Sequence, residues 1–334
     1  MYPGGARFGV QLSFDVEMVT NFPYWGNDWN ARKGALDRET KEYIRRISET
    51  CSQYGAKAHY FLVGSLFEDP DVDFLKASLD AGHSVGNHTY THVSIKAKQL
   101  AHLAGVYAYE PWRAAGRTAP EIVREEVQMT TDAIRRRLGV SPRGFRSPGG
   151  FVDGLQNAPE VRRMLAEEGF WWVSTHYNDG IQRHASSPVG RSVTRKRPLD
   201  ELVAAFNASE RHLQPYRYAD GLFELPLAGI TDVVAWRWYG TELGDWVRLL
   251  EAGVDYAHEN GLIFMLTTHP AVLAAVDPEC LTLHAVLSRA REKEGGVWLP
   301  DLEEVAEWVR DVFRKDAGRV RTVHDDAPTA APAV

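Results

Sequence analysis

Asp15 and Glu17 stand two residues apart in Ser13-Phe14-Asp15-Val16-Glu17, His88 and His92 four apart in His88-Thr89-Tyr90-Thr91-His92, and His269 closes Thr267-Thr268-His269 ahead of Pro270. Carboxylates with paired imidazoles can hold a divalent ion while leaving it an open position, and a spare carboxylate and imidazole can then move protons. That is the equipment of a metal-assisted hydrolase. Each stretch follows a run that reads as a β-strand, so one end of a parallel sheet or barrel would collect them.

Taken singly, every one of these features has a plainer reading. Asp15 and Glu17 alternate with apolar Phe14 and Val16 and so share one strand face, which could simply be a solvated face. His88 and His92 reach one ion if the chain turns helically after its strand; otherwise they are surface or hydrogen-bonded histidines. Arg146, in Phe145-Arg146-Ser147-Pro148, could hold a catalytic carboxylate through a bidentate bond or make a rim salt bridge. His269 is placed as a general acid or as a core-capping histidine, and His83, at the opposite end of the strand leading to His88, reads as structural. The combination favours the chemical reading. Trp25 and Trp29, in the loop 21–35, are candidates for a pocket wall or for packing on the scaffold. Asp232 and the Trp236-Arg237-Trp238-Tyr239 run are a second possible wall, with ordinary aromatic packing slightly favoured.

The elements needed to position these residues recur along the chain. Asp37 caps a helix with Ile44, Ile47, Cys51 and Tyr54 on one stripe, and Gly55 ends it before strand 58–63. Helix 72–81 precedes strand 84–87. Helix 121–138, with Pro120 in its first turn and Gly139 after it, precedes strand 144–146. Helix 160–168 leads to strand 170–175, helix 199–213 to strand 223–227, helix 243–260 to strand 262–267, and helix 281–293 to strand 297–299. Such alternation predicts an α/β fold, a distorted (β/α) barrel of about seven or eight parallel strands with helices outside. Residues 1–315 read as a single domain, 96–118 as a loop or helical hairpin over the strand ends, and 316–334 as a disordered tail.

Composition narrows the partners. Among 334 residues, 38 Lys and Arg against 45 Asp and Glu give a formal net charge of -7, which offers no basic footprint for nucleic acid. Two cysteines argue against a disulfide framework. The apolar segment ending at Phe14 reads as a first strand rather than a leader, and no run of about 18 apolar residues occurs. The expectation is a cytoplasmic protein without membrane contact, with a homo-oligomer left open.

The order Phe14-Asp15-Val16-Glu17, His88-Thr89-Tyr90-Thr91-His92, Arg146-Ser147-Pro148 and Thr268-His269-Pro270 resembles the carbohydrate esterase family 4 polysaccharide deacetylases over residues 8 to 300. The resemblance implies metal-dependent hydrolysis of the amide C–N bond of an N-acyl, typically N-acetyl, sugar or small amine, with metal-bound water attacking the acyl carbon. It implies Asp15 as general base, Arg146 as its orienting partner and His269 as general acid. Glu17, His88 and His92 would ligate a divalent metal, Zn2+ or another transition-metal ion, and Trp25, Trp29, Pro148, His176 and Asp232 would meet substrate. The acid-x-acid spacing of Asp15 and Glu17, in place of adjacent aspartates, resembles a branch containing intracellular deacetylases and metal-independent allantoinases. The second reading is therefore metal-free hydrolysis of a cyclic ureide or imide. The segment 175–179 lacks the family's acid-rich fourth motif, which leaves Asp179, Asp232 or His176 as the partner of His269.

Overall fold

The computed structural model describes residues 1–18, 33–103, 106–178, 196–227 and 229–325. Chain order gives β1 (Phe8–Val16), α1 (Arg38–Gln53), β2 (Ala58–Leu62), α2 (Asp73–Asp80), β3 (Ser84–Asn87), α3 (Val106–Tyr109), α4 (Ala119–Leu138) and β4 (Gly144–Phe151). There follow α5 (Pro159–Glu167), β5 (Trp172–His176), α6 (Leu199–His212), β6 (Tyr216–Tyr218), β7 (Phe223–Glu224), α7 (Asp232–Tyr239), α8 (Leu243–Asn260) and β8 (Ile263–Thr268). Last come α9 (Pro270–Val276), α10 (Leu281–Arg291), β9 (Val297–Trp298), α11 (Leu302–Lys315) and β10 (Thr322–Val323).

The strands lie in the order β10-β6-β7-β5-β4-β3-β2-β1-β8, with β9 pairing the start of β1. All described pairings are parallel except β6 with β7. β1 is buried along its whole length, as a central parallel strand must be. Phe8, Val10, Leu12, Phe14 and Val16 face the helices in the main core, while Gln11, Ser13 and Asp15 fall on the opposite, inner face. The alternation seen in the sequence thus separates core from site, with both faces out of water.

The helices begin and end where local chemistry allows. Asp37 accepts the Thr40 amide at 2.8 Å at the start of α1, whose Tyr43, Ile44, Ile47 and Cys51 enter the core. Thr118 and Glu121 form a reciprocal capping box on α4, with Pro120 in the first turn, and Gly139 stops it at φ 75°. A second capping box, Asp301 with Glu304, starts α11. The apolar face of α11, Leu302, Val305, Ala306 and Val309, packs with inner-face residues Phe61, Trp172, Ile263 and Met265 and closes the end of the barrel opposite the strand C-termini.

The expected α/β barrel is present in distorted form. Ten described strands replace the seven or eight expected, because β6 and β10 are three and two residues long and too short to leave a sequence pattern. The β8 edge finds no strand partner on the β6–β7 side among the described residues. Gln214 fills that position: its Nε2 donates to Ile263 O and its Oε1 accepts Ile263 N, both at 3.0 Å. Within 96–118, Leu100–His102, Val106–Tyr109 and Pro111–Ala114 form short helical turns. Segment 232–239, weighed as an aromatic loop, is a helix ended by Gly240 at φ 58°, with Trp236 packed 5.1 Å from Trp246. Residues 316–325, assigned by sequence to a disordered tail, instead place β10 on β6, and Asp325 accepts Arg162 at 2.9 Å; residues 326–334 lie outside the described set. No single described helix is long and apolar enough to cross a membrane.

Candidate active site and metal centre

Six residues singled out by type meet at the C-terminal ends of the strands. Glu17, His88 and His92 each offer a ligand atom, and these atoms lie within 4.8 Å of one another. His92 Nε2 contacts Glu17 Oε2, and His88 Nε2 lies 3.5 Å from the same oxygen. His88 Nδ1 donates to Arg146 O at 2.9 Å, which fixes the tautomer and turns Nε2 into the cluster. That buried Nε2 has no hydrogen-bond partner of its own. One carboxylate and two imidazoles, one with an orphaned nitrogen, are a donor set that fits zinc or a similar ion.

The His88–His92 turn is not helical, contrary to the sequence reading. Thr89 and His92 both have positive φ, 60° and 63°, a costly conformation for non-glycine residues and above all for a β-branched one. The turn is held by its neighbours. Asn87 Oδ1 accepts the Thr89 amide at 2.9 Å, Thr89 Oγ1 accepts the Val93 amide at 3.1 Å, and Glu126 takes both the amide and hydroxyl of Thr91 at 2.6 and 2.9 Å. Spacing on the chain matched a ligand pair, but strain rather than helical geometry brings the rings to 5.0 Å between centroids.

Arg146 is 1% exposed and lies 4.1 Å over the Phe61 ring. Its Nη1 donates to Asp15 Oδ1 at 2.8 Å, Nη2 to Ser13 Oγ at 2.9 Å and Ser174 Oγ at 3.0 Å. The expected bidentate bond is therefore absent: the guanidinium spends its second edge on two serines, brought within reach by the Arg146–Ser174 register of β4 and β5. Burial pushes the Asp15 carboxyl up, but Arg146, His88 and His269 outweigh it and hold it below its ordinary value.

His269 follows β8 and precedes Pro270 at the start of α9. Its Nδ1 meets Asp232 Oδ1 at 2.8 Å, its amide donates to Asp232 Oδ2 at 2.7 Å, and its Nε2 points back to Glu17 Oε1 at 3.5 Å and Asp15 Oδ2 at 3.9 Å. Burial lowers its basicity, yet Asp232 above all, then Glu17 and Asp15, raise its pKa to about 9. Of the three sequence candidates for its partner, Asp232 makes the contact. His176 instead meets Tyr216 OH at 3.2 Å, with its pKa lowered to about 4 by burial, and Asp179 lies outside the described residues. Pro148 is buried in β4. Trp25 and Trp29 lie outside the described residues. His83 is structural, accepting the Ala58 amide on Nδ1 at 3.1 Å and reaching Ser48 O at 3.0 Å.

Sequence reasoning passed over Lys33. Its Nζ lies 2.8 Å from Glu17 Oε1, with both side chains at most 3% exposed. Burial alone pushes the Glu17 carboxyl up, and His92 and Lys33 bring it well below its ordinary value. Burial pushes the Lys33 ammonium down, against the pull of Glu17. A lone lysine in a loop carries no periodic or spacing signal.

Residues 34–158 match the family model for polysaccharide deacetylase. This span contains His88, His92 and Arg146 and omits Asp15, Glu17 and His269. Among curated relatives, a peptidoglycan-N-acetylglucosamine deacetylase from Bacillus cereus is 25% identical over 137 residues, 40% of this chain and 41% of that protein, so the match spans less than half of the relative's length. A solved structure described as a polysaccharide deacetylase from Mycobacterium smegmatis superposes with a TM-score of 0.65 at 17% identity, covering 98% of this chain and 96% of that one. Puue allantoinase superposes at 0.59 with 15% identity, over 94% and 93%. At these identities the structures establish a shared fold.

Proposed function

We propose, for a chain that carries a polysaccharide deacetylase domain, hydrolysis of the amide C–N bond of an N-acyl, typically N-acetyl, sugar or small-molecule amine. The observation that carries this reading is the meeting of the Glu17, His88 and His92 donor set with two differently tuned proton-transfer groups, Asp15 and His269, in one buried cluster. Glu17, His88 and His92 would hold the divalent ion. Bound there, the ion would supply Lewis acidity, polarising the acyl carbonyl and making water more acidic.

The chain's own groups divide the proton work. Asp15, kept ionised by Arg146, takes the proton from the attacking water; the serines that occupy the rest of the guanidinium keep Arg146 aimed at Asp15. His269 is held by Asp232 through Nδ1, leaving Nε2 as the donor that protonates the departing nitrogen. An amine is a poor leaving group until it gains that proton, and a histidine with a pKa of about 9 carries it at neutral pH.

One contact favours a second reading. The Lys33 ammonium already balances Glu17, so the cluster has a charge partner for that carboxylate without an ion. Metal-free hydrolysis of a cyclic ureide or imide, with the same residues positioning water, is the alternative. Chelator-stripped protein assayed on N-acetylated sugars, allantoin and cyclic imides, with and without added zinc, separates the two. Acetate release that requires zinc supports the first reading, and ring opening at full rate without metal replaces it with the second.

A further inference from the structure

Each buried acid of the site has a basic partner outside the ligand set, and Glu17 also meets His92 and His88 within it. Asp15 faces Arg146 at 2.8 Å, Asp232 faces His269 at 2.8 Å, and Glu17 faces Lys33 at 2.8 Å. An incoming dication therefore finds, among the described residues, no acid in this cluster without a partner already in place. Of the three acids, Glu17 alone belongs to the ligand set, so the ion's direct competitor is Lys33. We infer that Lys33 is a resident counter-cation that stabilises the metal-free site and weakens its hold on the divalent ion, setting the affinity of the Glu17, His88 and His92 set.

The backbone around Lys33 is built for this contact. Gly34 N donates to Glu17 O at 2.9 Å and Lys33 O accepts Ser65 Oγ at 2.9 Å, so the residue is clasped to β1 on one side and to the turn after β2 on the other. Gly34 has φ 86°, and a Cβ there would sit 2.1 Å from Ser65 Oγ and 2.7 Å from Leu66 N. Glycine permits the close approach that brings the ammonium onto the carboxylate. Both partners are shielded from water, where like charges repel with little screening. The ammonium and the ion would share the single Glu17 carboxylate. Repulsion at that range, even at the effective dielectric near 20 that suits proteins, is ample to weaken ion binding by about 10-fold or more. The same ammonium stabilises the unloaded protein, because taking a charged partner away from a buried carboxylate is destabilising.

The inference rests on the metal-dependent reading above, and its test separates the two. Full-length wild type, Lys33→Met, Lys33→Gln and Lys33→Arg are stripped with chelator and titrated with Zn2+ against a chromophoric competitor, and each is melted with and without Zn2+. Both neutral variants are expected to bind zinc at least about 10-fold more tightly than wild type, to melt lower when stripped, and to gain more from zinc. Lys33→Gln, which keeps a polar donor beside Glu17, reads the charge alone, and Lys33→Arg should behave as wild type. Measurable zinc binding of equal strength in all four overturns the inference and leaves the metal-dependent reading intact. Failure of wild type and both neutral variants to bind zinc overturns both.

Discussion

Asp15 and His269 show how one cluster tunes two groups in opposite directions. The Asp15 carboxyl is buried, which disfavours its charge, yet Arg146 and the neighbouring imidazoles keep it below its ordinary value. Asp15→Asn preserves shape and removes the acceptor, so turnover should fall by about 10² to 10⁴ while zinc content is retained; steady-state rates beside metal analysis check this. His269 depends on Asp232 for its raised pKa of about 9. A donor works only while protonated, so activity should be lost as pH rises through that value. Asp232→Asn keeps one hydrogen bond and loses the charge, and the alkaline limb of the kcat profile should move down by about 1 to 2 units. An unmoved limb would assign it to another group. Asp15, Glu17, His88, Arg146 and His269 could be picked out as candidates because each stands in or just after a strand, and His92 because of its spacing from His88. Lys33 could not, since its pairing depends on a clasp between segments that sequence spacing does not encode, and Asp232 was one of three equal candidates until the fold chose among them.

At the scale of elements, the long amphipathic helices and the strands they feed could be read from period and caps, since Asp37, Pro120 and Gly139 act through their own few neighbours. The short strands β6 and β10 could not, because pairing rather than sequence defines them. The His88–His92 turn falls between these cases. Its residue types marked a ligand pair, but its shape depends on Glu126, a distant residue on α4 that Tyr107 OH also contacts at 2.9 Å. Glu126 thus offsets the cost of two left-handed residues by satisfying Thr91 twice. Glu126→Ala leaves the buried Thr91 donors without that acceptor and should destabilise the fold by about 1 to 3 kcal/mol. If the turn positions the ligands, zinc affinity should fall as well, because His88 and His92 would no longer be held facing one point. Urea unfolding of the stripped protein and chelator competition measure the two effects separately. A stability loss with unchanged zinc affinity would mean that the strands alone position the imidazoles.

The described molecule is a distorted barrel with a candidate active end and a sealed end. α11 fills the sealed end with its apolar face, and the candidate site residues sit at the other, on strands anchored by parallel ladders. The weak line runs along β8, whose outer edge, among the described residues, meets one side chain instead of a strand. Gln214 Nε2 reaches Ile263 O and Glu210 O, both at 3.0 Å, while its Oε1 takes Ile263 N, so a single carboxamide ties the end of α6 to the start of β8. Gln214→Glu retains the acceptor but sets a carboxylate oxygen against two carbonyls. It should lower unfolding free energy by about 1 to 3 kcal/mol through the lost bonds and the unpaired groups left behind. Catalysis should be spared. Ile263 is the first residue of β8 and His269 follows its last, and between them β8 is laddered to β1 from Gly9–Ile263 through Phe14–Thr268. That ladder holds the active end whether or not the seam is tied. The expected result is therefore a lower urea midpoint with kcat/KM within about two-fold of wild type, and a drop in kcat/KM matching the loss of stability would show that the seam, rather than the β1 ladder, positions His269.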